Sequence, residues 1–234
     1  MADRSSVMLL DAWDWGQGVH SVDRALRLVA VARPEVPTGQ LAEIGLGECN
    51  DSLLALHQQF FGDDLPCVVD CPACAERVEF DLSAAHLRAD ASATGLAEVT
   101  FGAQIVRVRQ LNSHDLAAVV GAATTDEARL LLAQRCLLDP VDVDLSEELV
   151  QALAERLALM DQRAEVLVDL TCPACGCAWQ RALDVAAYVW REISAEALRL
   201  LHEVHTLARA YGWSEADILT MSPTRRRAYV ELAG

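Results

Sequence analysis

The sequence predicts an α+β fold, predominantly helical, in which two cysteine-bearing β-hairpins meet and a helical segment closes the chain. Three observations predict it. Apolar residues recur at helical spacing over most of the 234 residues. Two stretches break that pattern in the same way, "VVDCPACAERVEFDL" (68–82) and, far downstream, "LVDLTCPACGCAWQRALDV" (167–185). Each is a short apolar strand, a Cys-Pro-Ala-Cys turn and a strand of alternating character. After Val185 the helical spacing returns, punctuated by capping residues.

The elements follow in order. "SVDRALRLVAVA" (21–32) places Val22, Ala25, Leu26 and Val29 on one helical face, with Ser21 as the expected N-cap. "RPEVPTG" ends it with two prolines and a glycine, and "LAEIGLGE" reads as a turn. "NDSLLALHQQFFG" is a helix capped by Asn50 or Asp51 and stopped at Gly62. These make an N-terminal helical region, 1–66. The first cysteine hairpin and a strand pair around Gly102, with Ile105 and Leu111 among its apolar positions, span 67–111, linked by an Ala-rich crossover between Ser83 and Gly95. A helical insertion covers 112–163. Its helices open at Asn112 or Ser113, at the Thr124/Glu127 capping box, and at Ser146, with Leu149, Leu153, Leu157 and Met160 on one face. The second cysteine hairpin is 164–184. The C-terminal segment, 185–234, is a long helix to Tyr211 stopped by Gly212, then short helices opened by Ser214/Asp217 and by Ser222-Pro223.

Composition limits function. With 53% apolar residues the chain can bury a core. Its formal charge of −16, from 35 acids against 19 bases, repels nucleic acid and anionic lipid, so neither is an expected partner. Apolar runs are too short for a membrane span, and the N-terminus lacks the apolar region of a secretory signal, so the expected location is the cytoplasm.

Eight cysteines in such a chain point to metal or redox chemistry before structural disulfides. A Cys-Pro-x-Cys turn lets two thiolates point the same way while the proline fixes φ. Two such turns supply the four ligands of a tetrahedral zinc site: Cys71, Cys74, Cys172 and Cys175. All-thiolate coordination leaves no open position, so the Zn2+ is structural. The fold is then two zinc-knuckle β-hairpins sharing one four-cysteine site, a staple between distant parts of the chain. A redox dithiol, two separate metal sites and a site that has lost its metal are the alternatives. Cys67 and Cys177 are bystanders, Cys177 being the closer substitute ligand. Cys49 and Cys136 read as small buried residues.

Other candidates carry less. "HEVH" (202–205) spaces its histidines three apart where a zinc-protease helix needs four, and reads as polar residues on a long helix. Trp13 and Trp15 read as core aromatics before a binding anchor. Arg225, Arg226 and Arg227 read as a solvated helix face or a contact for phosphate or an acidic partner.

The segment "EVHTLARAYGWSEADILTMSPTRRRAYVEL" (203–232), through Tyr211, Trp213, Glu215, Ile218, Met221, Pro223, Arg225, Arg226 and Tyr229, resembles the C-terminal segment of the phage T4-type baseplate (hub assembly) proteins. The two knuckles, with "LLALHQQFFG" before the first, resemble larger relatives encoded in bacterial contractile injection gene clusters. This resemblance implies a non-enzymatic baseplate component or assembly factor whose partners are other baseplate or tail proteins of a contractile particle. The rival functions are a zinc-ribbon adaptor on nucleic acid, disfavoured by Glu76, Glu79 and Asp81 around the first knuckle, and a thiol-disulfide oxidoreductase.

Overall fold

A computed structural model describes residues 4–89, 95–101, 104–138 and 145–234. The fold is mixed α+β and predominantly helical. Helices α1 (Arg4–Gly16) and α2 (Ser21–Ala32), a 3-10 turn (Thr38–Glu43) and α3 (Leu46–Phe61) lead into the hairpin β1 (Asp64–Asp70)/β2 (Arg77–Ser83) and the short α4 (Ala84–Ala89). A second hairpin, β3 (Leu96–Phe101)/β4 (Gln104–Arg109), precedes α5 (Ser113–Val119), α6 (Thr125–Cys136) and α7 (Glu147–Met160). The third hairpin, β5 (Val166–Thr171)/β6 (Ala178–Leu183), runs into α8 (Val185–Tyr211), followed by α9 (Glu215–Leu219) and α10 (Pro223–Ala233). Each hairpin is a separate two-stranded antiparallel sheet.

The main core is built on α8. Val185, Val189, Ile193, Ala197, Leu200, Val204 and Leu207 recur at helical spacing on its buried face. They pack with Leu28 and Val29 of α2, Leu53, Leu54 and Leu56 of α3, and Leu9, Leu10 and Ala12 of α1. Each leucine taken fully out of water contributes about 2 kcal/mol. Asp184 accepts from the Ala187 N–H at 2.9 Å, so strand β6 passes into α8 with a cap and no linker.

A second core lies apart from the first. Val99, Val106 and Val108 of the middle hairpin pack against Ala133, Cys136, Leu149, Leu153 and Met160. Thus the strand pair that adjoins the first knuckle in sequence shares its core with α6 and α7. Fully buried Asp115 lies beside this core. It accepts from both terminal nitrogens of Arg109 (2.7 and 2.9 Å), from Arg135 Nε (2.8 Å) and from the Asn112 N–H (3.0 Å). Burial opposes its ionisation, but the hydrogen bonds from Arg109, Asn112 and Arg135 outweigh that and hold the carboxyl below its ordinary pKa.

The start of α3 ties the second core to the first. Asp161, after α7, accepts from the Gly47 N–H at 2.9 Å, capping α3 from more than a hundred residues away. Asn50 Nδ2 donates to the carbonyls of Arg163 (2.8 Å) and Ala164 (3.2 Å), and Asp51 accepts from Arg163 and Arg88.

Several local expectations change. Helix α3 begins at Leu46 with Gly45 as N-cap, not at Asn50 or Asp51, because Asp161 supplies the missing acceptor. "LAEIGLGE" is therefore a 3-10 turn and a helix start. The cap of α2 is His20 rather than Ser21, its Nδ1 accepting from the Val22 N–H. Trp13 packs on the main core, but Trp15 is 55% exposed. The Arg225–Arg227 run is split: Arg225 and Arg227 are exposed, while Arg226 is buried and donates to Glu203 (3.0 Å) and Ser6 (3.0 Å). Residues 84–89 of the crossover are helical; the rest, 90–94, and Gly102 lie outside the described residues.

Gly47 leaves no room for a side chain: a Cβ there would sit 1.8 Å from Asp161 Oδ1. Gly47→Ala is expected to lower stability by about 2 kcal/mol in denaturant titration, through overpacking and a lost buried hydrogen bond. Gly39→Ala, where a Cβ meets nothing within 4 Å, is the control and is expected to change stability by under ~0.5 kcal/mol.

Candidate metal centre

The two cysteine turns have the same backbone. In the first, the Cys71 N–H donates to the Glu76 carbonyl (2.8 Å) and the Ala75 N–H to the Cys71 carbonyl (2.9 Å). In the second, Cys172 N–H donates to Cys177 (2.9 Å) and Gly176 N–H to Cys172 (2.9 Å). Both turns need a left-handed residue after the second cysteine, met by Ala75 (φ 58°) and Gly176 (φ 72°). The strands end on the turns in the same register, Asp70 opposite Arg77 and Thr171 opposite Ala178.

The turns meet tip to tip. Cys71, Cys74, Cys172 and Cys175 place their sulfurs within 4.8 Å of one another. Cys71 Sγ lies 3.7 Å from Cys175 Sγ, and Cys74 Sγ lies 3.7 Å from Cys172 Sγ, across 104 and 98 positions of sequence. A tetrahedron of thiolates around zinc with bonds near 2.3 Å has edges of about 3.8 Å. A disulfide needs about 2.05 Å, and all eight cysteines are free. The four sulfurs are therefore close enough to hold a metal ion, and their spacing is that of ligands, not of oxidised pairs.

The surroundings fit this use. The first cysteine of each turn, Cys71 and Cys172, is buried, and the second, Cys74 and Cys175, is exposed. Val69, Val78, Phe80 and Trp179 pack beneath them. Burial opposes ionisation of Cys71, but the Ala73 and Cys74 N–H groups donate to its sulfur and bring its pKa down to about 6. The Glu76 N–H favours ionisation of Cys74, yet its contacts with the sulfurs of Cys175 and Cys172 push that thiol up to about 12. Four thiols this close cannot all lose their protons without a cation among them, and loading the site must release protons.

The remaining cysteines stand outside the quartet. Cys49 and Cys136 are buried, and burial pushes both thiols up to about 11. Cys67 is buried in the main core. Cys177 is half-buried beside the cluster, with its sulfur 3.9 Å from the Ala178 carbonyl. His202 and His205 are exposed on α8, while Glu203 between them turns inward to Arg226 and Arg199. Ala75 escaped the sequence reading. The glycine at the matching position, Gly176, was the signal for it.

Mass spectrometry under native conditions is expected to find one metal ion per chain. Cys71→Ser and Cys172→Ser should each abolish that occupancy and lower stability by several kcal/mol, roughly 3 or more, since binding energy at such sites is folding energy. Ala75→Gly should raise the melting midpoint, by up to about 1 kcal/mol in stability, because glycine carries no Cβ penalty at positive φ; Gly176→Ala should lower it by a similar amount. Compared with protein-family models, curated proteins and solved structures, the chain matches none.

Proposed function

We propose that this protein is a non-enzymatic contact scaffold whose halves are stapled by a structural zinc ion, and that it serves as a component or assembly factor of the baseplate of a phage-like contractile particle. The observation that carries the scaffold reading is the four-sulfur group joining two hairpins about a hundred positions apart. Zinc is the ion best matched to four thiolates in a tetrahedron, and a closed tetrahedron has no position left for a substrate.

The baseplate assignment rests on the resemblance of segment 203–232. Most residues that carry it hold the end of the chain in place. Tyr211, Trp213 and Tyr229 form a cluster with ring centroids 4.6, 5.8 and 5.0 Å apart. Ile218 is buried, and Arg226 is anchored to Glu203. Arg225, Arg227 and Leu232 are left exposed on α10 for contact.

Deleting the gene and imaging the particles of the host by electron microscopy tests this reading. Sheath and tube assemblies lacking finished baseplates are expected, with rescue by the native chain and not by Cys71→Ser. Normal contractile particles in the deletion strain, or no such particles in the parent, would overturn it.

A further inference from the structure

We propose that the apolar groove between α6, α7 and the start of β5 docks a basic amphipathic helix of a partner protein. The helix would lay its apolar stripe on the groove floor and its lysines or arginines against an acidic rim. This deepens the scaffold reading by naming the chemistry of the partner.

The groove encloses about 820 Å3. On α7 its lining is Val150, Leu153, Ala154, Leu157 and Ala158; Leu153 sits at the edge it shares with the second core, into which Leu149 and Met160 also turn. Ala154 and Ala158 are what keep it open, because larger side chains there would fill it. Leu116, Leu132 and half-exposed Leu167 complete an apolar floor. The α7 lining alone is about 12 Å long, two turns of helix. That suits a partner read through anchors at i, i+3 or i+4, and i+7.

Charge settles which helix. The groove runs on into a second hollow of about 600 Å3, the two sharing Arg129 and Val150. Together their linings hold four exposed carboxylates, Asp126, Glu147, Glu148 and Glu165, against the single cation Arg129. Arg129 already donates to Gln151 at 2.8 Å. An acidic helix would add like-charge repulsion in a chain of net charge −16.

The test uses the full-length, metal-loaded chain and two synthetic helical peptides of about 18 residues (five turns) with the same leucine stripe, one flanked by lysines and one by glutamates. Fluorescence anisotropy is expected to show saturable binding of the lysine peptide, with the glutamate peptide at least about tenfold weaker. Ala158→Trp, which fills the groove from an exposed position, should weaken the lysine peptide by about tenfold or more with metal content and melting curve unchanged. Asp126→Asn/Glu147→Gln/Glu148→Gln should weaken it several-fold and flatten its salt dependence. Equal binding of the two peptides, or indifference to Ala158→Trp, would overturn the proposal. So would a concentration-dependent dimer that Ala158→Trp abolishes, since a second copy would then cover the groove. The scaffold reading fails separately: a chain without metal that still binds the lysine peptide through the groove removes the staple and leaves the docking site.

Discussion

Four thiol groups held within 4.8 Å are an electrostatic constraint before they are a motif. With protons in place they crowd one another, and with protons gone they repel, so the arrangement is at ease only around a cation. Both hairpins are placed for this by the helices behind them. Helix α3 feeds β1, α8 leaves β6, and the two helices share the main core. The hydrogen bond from the Tyr188 hydroxyl of α8 to the Pro66 carbonyl of β1, at 3.1 Å, fastens the base of one hairpin to the helix that begins at the base of the other. Packing at the bases brings the tips together, and the sulfurs close the gap.

The second core depends on different chemistry. It is small, and much of its definition comes from carboxylates used as fixed acceptors. Asp115 gathers Arg109, Arg135 and the start of α5, and Asp161 holds the first turn of α3. Removing Arg109 would leave the buried Asp115 carboxylate short of a cation, which is costlier than the net worth of the pair, and removing Asp161 would leave the Gly47 N–H unmet. The same economy of side chains shapes the groove. Where α7 turns Leu149, Leu153 and Met160 inward it meets the core, and where it presents Ala154 and Ala158 it leaves space.

The fold class and the extent of α8 could be read directly from the sequence, because Gly212 and a long apolar stripe are local signals. The cysteine quartet was readable for the same reason, as a repeated turn with proline at a fixed place. What escaped was set by residues distant in sequence. No local pattern tells that Asp161 caps α3, that Gly47 is what admits its carboxylate, or that Arg226 lies buried between two exposed arginines. The alternation of β3 and β4 marked them as strands without saying which core they join. On α7 the leucine stripe drew attention to one face, and the alanines of the neighbouring face carried no hydrophobic signal of their own.

The span of chain between the two turns has a topological consequence. With a cation bound, the chain from Cys74 to Cys172, 98 positions apart, forms a closed ring that contains the whole second core. An unfolded ring has fewer conformations than an open thread, and for a loop of this length the difference is on the order of 4–5 kcal/mol if the clasp acts as a covalent bridge does. Heat or denaturant that melts the helices while sparing the sulfur–metal bonds yields a looped coil. The search for the native arrangement then restarts with its most distant pairing already made.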